Sequence, residues 1–344
     1  MAKIVAGIGM SHAPGALGWP DAPSASVRRR LLQAADRLGR SLDAARPDVI
    51  IAFLDDHFEN HFRSLMPTVG IGVADSHPGP ATQWLEALRL TRQERFGGAP
   101  EIAERLLRSL VADGYDVARM GEIEYGNNLM VPWKLMAPRS APAIIPVFTN
   151  VFSPPVMPYR RAYAFGAALR NAAEALDADL RVAFMATGGM SHWPPFWNDS
   201  SPEADAFLAR MKAFQTHGKS VLEKDPHLLR DLAAYEIEMA ERNQWPLNSP
   251  HPLVNEAWDR QMLDALARGD VEFLCGLQYE DVKRDGGHGG QEIINWIELM
   301  GAMKGAPATL LEYEAVTEWI CGMAYMDYGV AQAWPVNPLI KEQE

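Results

Sequence analysis

The chain has 344 residues, and 48% of them belong to the hydrophobic set, which is enough to bury one large core or two closely joined halves. The formal net charge is -12, and the one basic cluster is the short run Arg28-Arg29-Arg30, so most of the surface should repel phosphate backbones. This charge balance argues against a nucleic-acid partner.

The two cysteines, Cys275 and Cys321, lie far apart in apolar stretches, which indicates buried thiols in a reducing compartment. The N-terminal apolar run is too short for a signal peptide, and no later stretch reaches the ~18 apolar residues of a membrane span. We therefore expect a cytoplasmic protein without a membrane segment, and we expect it to form a homo-oligomer.

The first part of the chain predicts a strand, a helix and a second strand. Residues 4–9 predict a strand that ends at a loop carrying His12, and apolar residues at helical spacing predict a helix over residues 27–45. A continuous apolar run over residues 49–54 then predicts a buried strand, which His57 follows closely.

The same order returns further along the chain. Residues 143–148 predict a strand, residues 163–176 a helix, and residues 180–186 a strand that leads to His192. Strands and helices that alternate with short links indicate an α/β fold, with a central mixed, largely buried β-sheet flanked by helices.

The last part of the chain is mostly helical. Residues 201–268 predict a charged helical subregion, and a glycine-rich loop later opens a helix over residues 291–303, whose second residue is Glu292. Because no internal repeat or low-complexity linker interrupts the chain, we expect one domain over residues 1–330 and a C-terminal tail over residues 331–344.

Histidines therefore follow three separate predicted strands, at the carboxyl ends where open α/β sheets collect their ligand-binding loops. Two neutral imidazoles and one carboxylate, with three positions left open, suit a non-haem Fe(II) site that binds both a substrate and O2. His12, His57 and Glu292 could supply this set. Each residue alone is more often exposed or simply hydrogen-bonded, but none of the three lies on a helix face where core packing would explain it.

Two adjacent glycines precede His192. Gly188 and Gly189 would let the backbone approach a small ligand closely, and the imidazole that follows can exchange a proton near neutral pH. A phosphate-binding loop is the rival interpretation. The stretch lacks the Lys-Ser/Thr ending of such a loop and the chain is acidic, so we favour the small-ligand site.

Taken together, the motifs resemble those of the class III extradiol ring-cleaving dioxygenases, in the same order over roughly residues 3–328. The motifs that carry this resemblance are Ser11-His12, Asp56-His57, Thr187-Gly188-Gly189-Met190-Ser191-His192, and Glu292 four residues before Trp296, with Met66 to Val73 and His251 to Asp259 also similar.

The resemblance implies an enzyme of the ring-cleaving dioxygenase type and of that family's fold. It implies that His12, His57 and Glu292 bind Fe(II), and that His192 is the acid/base beside the metal. The substrates would be O2 and a small dihydroxylated aromatic ring, either catechol-like or heteroaromatic.

The sequence departs from the family at one motif. Family members commonly carry a second histidine before the proline that corresponds to Pro132. Here Asn127 takes that place when residues are counted back from the proline, whereas Tyr125 does when the following glycine is aligned. Neither is a good base near pH 7, so we expect no second base near His192 and an altered substrate preference.

Three further residues are candidate substrate contacts, namely Trp193, His251 and His288. Each also has an ordinary interpretation, as a core aromatic residue, a helix-start residue and a solvated loop residue respectively. His61 lies four residues after His57 and could share a metal with it on a helix, but the spacing of the family motif selects His57.

Two other functions use the same residues. A Zn(II) hydrolase or C–C bond lyase would suit a His, His and Glu set with an open position, and a non-catalytic binding protein could share the fold. Metal analysis together with a measurement of O2 uptake distinguishes the first alternative from a dioxygenase. The joint presence of His12, His57, His192 and Glu292 argues against the second.

Overall fold

A computed structural model describes residues 1–330, so the predicted tail over residues 331–344 lies outside the described residues. Eight strands form the central sheet in the order β6-β3-β7-β2-β8-β1-β10-β9, and β4 and β5 form a separate hairpin. The strands are β1 (Lys3–Met10), β2 (Val49–Asp55), β3 (Val69–Gly72), β4 (Ser76–Gly79), β5 (Glu94–Gly97), β6 (Ala118–Met120), β7 (Ala143–Thr149), β8 (Arg181–Thr187), β9 (Thr309–Val316) and β10 (Cys321–Val330).

Four neighbouring strands at the centre of the sheet, β7, β2, β8 and β1, run parallel. The flanking pairs β3 with β7 and β1 with β10 are antiparallel, so the sheet is mixed. Strand β2 is buried at every position, which explains its continuous run of apolar side chains. The sheet confirms the predicted α/β fold and brings the carboxyl ends of β1, β2 and β8 to one edge.

Helices cover both faces of this sheet. They are α1 (Gly15–Gly18), α2 (Ala25–Ala45), α3 (Pro100–Ala112), α4 (Asn127–Met136), α5 (Tyr159–Glu174), α6 (Ala206–His217), α7 (Leu228–Arg242), α8 (Glu256–Arg268), α9 (Val271–Cys275), α10 (Tyr279–Asp285) and α11 (Ile293–Ala302). Helix α2 shows why such segments are helical: the Ser24 hydroxyl accepts a hydrogen bond from the Val27 amide at its start, and one apolar stripe faces the core.

The helix that carries Glu292 differs from its prediction. A 3₁₀ turn spans Gly289–Glu292, and the α-helix begins only at Ile293. Glu292 is therefore the residue at which a tight turn passes into α11. The glycines that precede it favour an irregular entry over regular helix.

The predicted helical stretch contains α6, α7 and α8, with an irregular segment between α7 and α8. A second apolar cluster forms there between Trp193, Leu208, Met239, Trp245, Leu253 and Ile320. Among the described residues, none of the helices is both long enough and apolar enough to cross a membrane.

Candidate metal centre

Four polar side chains converge where parallel strands of the sheet end. His12 lies two residues after β1, Asp55 is the last residue of β2, and His57 follows two residues later. Glu292 approaches from the 3₁₀ turn that leads into α11. The potential ligand atoms of these residues all lie within 4.8 Å of one another, and all four side chains are buried.

The distances within this group leave room for an ion between the side chains. His12 Nε2 lies 3.3 Å from Glu292 Oε2, and His57 Nε2 lies 3.5 Å from Glu292 Oε1. Asp55 Oδ2 lies 3.3 Å from His57 Nε2 and 3.9 Å from His12 Nε2. Within residues 1–330, His12 Nε2, Asp55 Oδ2 and Glu292 Oε1 have no hydrogen-bond partner. Buried polar atoms without partners are costly, so their convergence fits a bound cation.

The electrostatics of the group support the same interpretation. Burial lowers the pKa of His57, but the charges of Asp55, Glu292 and Glu59 outweigh burial and raise that pKa to about 10. Burial would raise the pKa of Glu292, but His12 and His192 hold it well below its ordinary range. The carboxylates thus draw positive charge onto the imidazoles. A divalent cation supplies that charge directly and leaves neutral imidazoles free to act as ligands.

Hydrogen bonds outside the group orient its members. His12 Nδ1 lies 3.0 Å from the Thr187 hydroxyl, so its Nε2 points towards the carboxylates. The Asn295 amide donates to Asp55 Oδ1 at 2.7 Å and to the Thr187 carbonyl at 2.8 Å. Partners of this kind fix the orientation of metal-binding side chains.

His192 lies beside the group and is held by its surroundings. Its Nδ1 donates to the Met190 carbonyl at 2.8 Å, and its Nε2 lies 3.3 Å from Glu292 Oε1. Burial lowers its pKa, but the charge of Glu292 reverses that effect and raises it. A methyl group at Gly189 would come within 2.9 Å of the ring, and one at Gly289 within 2.4 Å. These glycines therefore make room for the imidazole itself.

A small cavity opens beside the group. His12, His57, His192 and Glu292 form one side of it. The rest of the wall is largely apolar and includes Pro14, Trp84, Pro194, Phe196, Leu232, Trp319 and Ile320. A mainly apolar cavity with a few convergent polar groups is typical of a small-molecule site.

The structure separates the two residues that competed for the missing histidine position. Asn127 lines the cavity, and its amide donates to the His12 carbonyl at 3.0 Å. Tyr125 does not line the cavity, because its fully buried ring packs edge-on against His77 and Phe96. Of these two residues, Asn127 is therefore the one that lies at the cavity.

The three candidate substrate contacts lie together, but in a different cavity. Trp193 stacks on His251 at 6.0 Å, and His288 Nε2 lies 2.6 Å from the Pro194 carbonyl. Trp193 packs with Trp245 and Leu253 in the second apolar cluster. The structure thus does not bring Trp193, His251 or His288 into the first cavity.

His61 also lies outside the metal-binding group. Its Nδ1 lies 3.6 Å from Asp56 Oδ2, and its backbone amide donates to the same oxygen at 2.7 Å. This pairing explains the histidine without a metal.

Sequence analysis missed two residues of the site. Asp55 is the last residue of β2 and lies two residues before His57, so its place at a strand end beside a predicted ligand was the available signal. Glu236 lines the cavity from α7, and it lies on the apolar face with Leu232 and Met239 at helical spacing. A carboxyl at such a position was the available signal for this residue.

Comparison with known proteins identifies the family. A family model described as the catalytic LigB subunit of aromatic ring-opening dioxygenase matches residues 6–324. Relatives from Cupriavidus necator and Paraburkholderia phymatum, both named 2,3-dihydroxyphenylpropionate/2,3-dihydroxicinnamic acid 1,2-dioxygenase, are 30% and 29% identical to this chain. These matches cover 92% of this chain in each case, and 96% and 95% of the relatives respectively.

A solved structure of an uncharacterized protein from Escherichia coli K12 covers 94% of this chain with 16% identity and a TM-score of 0.45, a likeness too distant to bear on function. The family match extends over nearly the whole chain and includes every residue of the metal-binding group. The chain therefore belongs to the LigB family of aromatic ring-opening dioxygenases, as its motifs predicted, and it is a ring-cleaving dioxygenase.

Proposed function

We propose that this dioxygenase is a non-haem Fe(II) enzyme of the extradiol type, which uses O2 to open a dihydroxylated, catechol-like ring. The observation that carries the proposal is the buried group of two imidazoles and a carboxylate beside an apolar cavity. His12, His57 and Glu292 are the proposed ligands. When bound, Fe(II) would supply Lewis acidity and open positions for a diol and O2.

The residues around the ligands have distinct roles in this proposal. The apolar wall excludes water and holds the ring, with Phe196 and Trp84 as its aromatic parts. His192 is the proposed acid/base, since the Met190 carbonyl fixes its Nδ1 proton and leaves Nε2 on the cavity side. Imidazole can hold or release a proton at that atom near neutral pH. Asn127 holds the His12 loop in place, because its side-chain amide donates a hydrogen bond to the backbone carbonyl of His12.

Asp55 lies in the metal-binding group without being one of the three proposed ligands. Its Oδ1 is already engaged by Asn295, and its Oδ2 faces both imidazoles. We assign it a positioning role, in which its negative charge holds the imidazoles and strengthens cation binding.

The experiment is metal loading followed by an assay of O2 consumption. Purified protein would be loaded with Fe(II) or with Zn(II) under anaerobic conditions, and O2 uptake would be measured with catechols, gallates and pyridinediols. We expect uptake with Fe(II) and ring-opened products. Turnover with Zn(II) in the absence of O2 would instead support the hydrolase or lyase alternative.

Variants of the ligands test the assignment of the site. Replacing His12, His57 or Glu292 by Ala should abolish Fe(II) retention, because one of three protein ligands is lost. His61→Ala is the matched control, since it removes a nearby histidine that pairs with Asp56. Loss of iron in His61→Ala together with its retention in His57→Ala would show that the ligand assignment is wrong.

A further inference from the structure

The lining of the cavity beside the metal-binding group includes one unexpected carboxyl. Glu236 is only 7% exposed and lines the same cavity as His57 and His192. It reaches the cavity from α7, which packs against the turn at Thr317–Trp319 that also contributes to the wall.

No protein group satisfies this carboxyl within residues 1–330. Burial raises the pKa of Glu236 to about 8, and only the more distant charges of His57 and His192 oppose that effect. Other residues that line the cavity include Leu232, Phe196 and Ile320, whose apolar side chains offer no hydrogen bond. A buried carboxyl that faces a ligand cavity without a partner is matched by a ligand that brings its own donor.

The charges of the wall point to the same kind of ligand. Among the residues that the structure describes, no Lys or Arg lines this cavity. Recognition of a carboxylate commonly uses such a cation, and the relatives are named for ring substrates that are acids. The cavity of this chain presents Glu236 in its wall and no cationic side chain to pair with such a group.

We propose that Glu236 contacts the substituent of the aromatic substrate and selects a hydrogen-bond donor there, preferably an amine. This inference rests on the proposed function, because it assumes that a diol ring occupies the cavity with its oxygens towards His12, His57 and Glu292. Because burial raises the pKa of Glu236 to about 8, its carboxyl holds a proton in the empty cavity near neutral pH and releases that proton to solvent when the amine binds as an ammonium group. The carboxylate then accepts hydrogen bonds from the ammonium group, and the ion pair offsets the cost of the buried charge.

The test is a binding series under anaerobic conditions, so that no turnover is required. Fe(II)-loaded protein would be titrated by calorimetry with catechols that carry an aminoethyl, n-propyl or propionate chain at the same ring carbon. For the wild type we expect the amine to bind at least tenfold more tightly than the n-propyl analogue, and more tightly than the propionate.

Glu236→Gln separates charge from packing, since it keeps the shape and an acceptor oxygen. We expect this variant to lose the preference for the amine to within about threefold, while its affinity for the n-propyl compound stays unchanged. A merely structural role would weaken all three compounds together. Glu298→Gln is the matched control, because Glu298 is a buried carboxyl on α11 that does not line the cavity.

Two results would overturn the inference. One is a wild type that binds the n-propyl or propionate compound as tightly as the amine, which decides the matter even where Glu236→Gln fails to fold. The other is an unchanged order of affinities in Glu236→Gln. If the protein binds the series but consumes no O2, the proposed function fails while the order of affinities still decides the role of Glu236.

Discussion

Asp55→Asn should weaken metal binding and at the same time stabilise the metal-free protein. The substitution preserves shape and the acceptor oxygen for Asn295, so its main effect is the loss of one negative charge. Asp55 and Glu292 have their facing atoms within 4.8 Å of each other. Two unit charges at that separation repel by about 3.5 kcal/mol at an effective dielectric constant of about 20.

The substitution stabilises the metal-free protein but weakens metal binding, because the negative charge of Asp55 repels Glu292 when no ion is bound and attracts the cation when one is. Without metal, part of the repulsion is offset by His12 and His57, and we expect the variant to gain about 1 kcal/mol in the free energy of unfolding. With metal, the lost carboxylate no longer attracts the ion or orients the imidazoles. Groups of this kind typically contribute 10- to 100-fold to metal affinity.

The assay combines thermal unfolding in chelator with anaerobic Fe(II) titration by calorimetry. Asp259→Asn is the control, because Asp259 is a buried carboxyl whose oxygens accept from the Ser191 amide and the Tyr313 hydroxyl, each at 2.6 Å. That variant should melt at a lower temperature and keep its metal affinity. A variant Asp55→Asn that melts lower in chelator, or binds Fe(II) as tightly as the wild type, would refute the reasoning.

Three further predictions concern other parts of the chain. His192→Ala should retain Fe(II) but lose about 10²- to 10⁴-fold in turnover. A variant that keeps more than about a tenth of the wild-type turnover in steady-state kinetics would contradict the acid/base role of His192. Burial raises the pKa of Glu298 to about 8 from its ordinary 4.5, so the unfolded chain loses this proton first and stability falls as pH rises between those values. Glu298→Gln should therefore gain on the order of 3 kcal/mol relative to the wild type between pH 5 and pH 8, and equal differences in urea unfolding at both pH values would exclude the effect. Truncation after Lys304 removes β9 and β10 from the central sheet, so we expect insoluble protein, and a truncated chain with unchanged circular dichroism and turnover would show that these strands are dispensable.

The sequence predicts the central strands well because each signal is local. The apolar run that forms β2 is buried at every position, and its short length, its β-branched residues and Pro47 just before it favour a strand over a helix. The predicted start of α5 is four residues late, since the helix begins at Tyr159, directly after Pro158. Proline fixes a backbone angle that suits the start of a helix, so Pro158 marks the beginning of α5 better than the spacing of its apolar residues does.

The site was predictable to the extent that its residues follow strands. His12 and His57 are placed by the ends of β1 and β2, whose parallel arrangement follows from the alternation of strands and helices. Trp193 shows the limit of this reasoning: it follows His192 directly, yet its side chain packs into the second apolar cluster. Which way a loop residue points depends on packing partners distant in sequence, such as Leu253, and local patterns do not contain that information.

Two parts of the cavity lining are built from different kinds of structure. Strand ends and the start of α11 hold the metal-binding group, so its geometry depends on the central sheet, where a shift of one strand would disturb all neighbouring strands. A second part of the cavity lining comes from α7 and the turn at Thr317–Trp319, where one side chain can change without altering the sheet. Glu236 lies in this second part of the lining. In the two proposals made above, ring opening and recognition of the ring substituent depend on separate residues of this chain, so a change in one set need not alter the other.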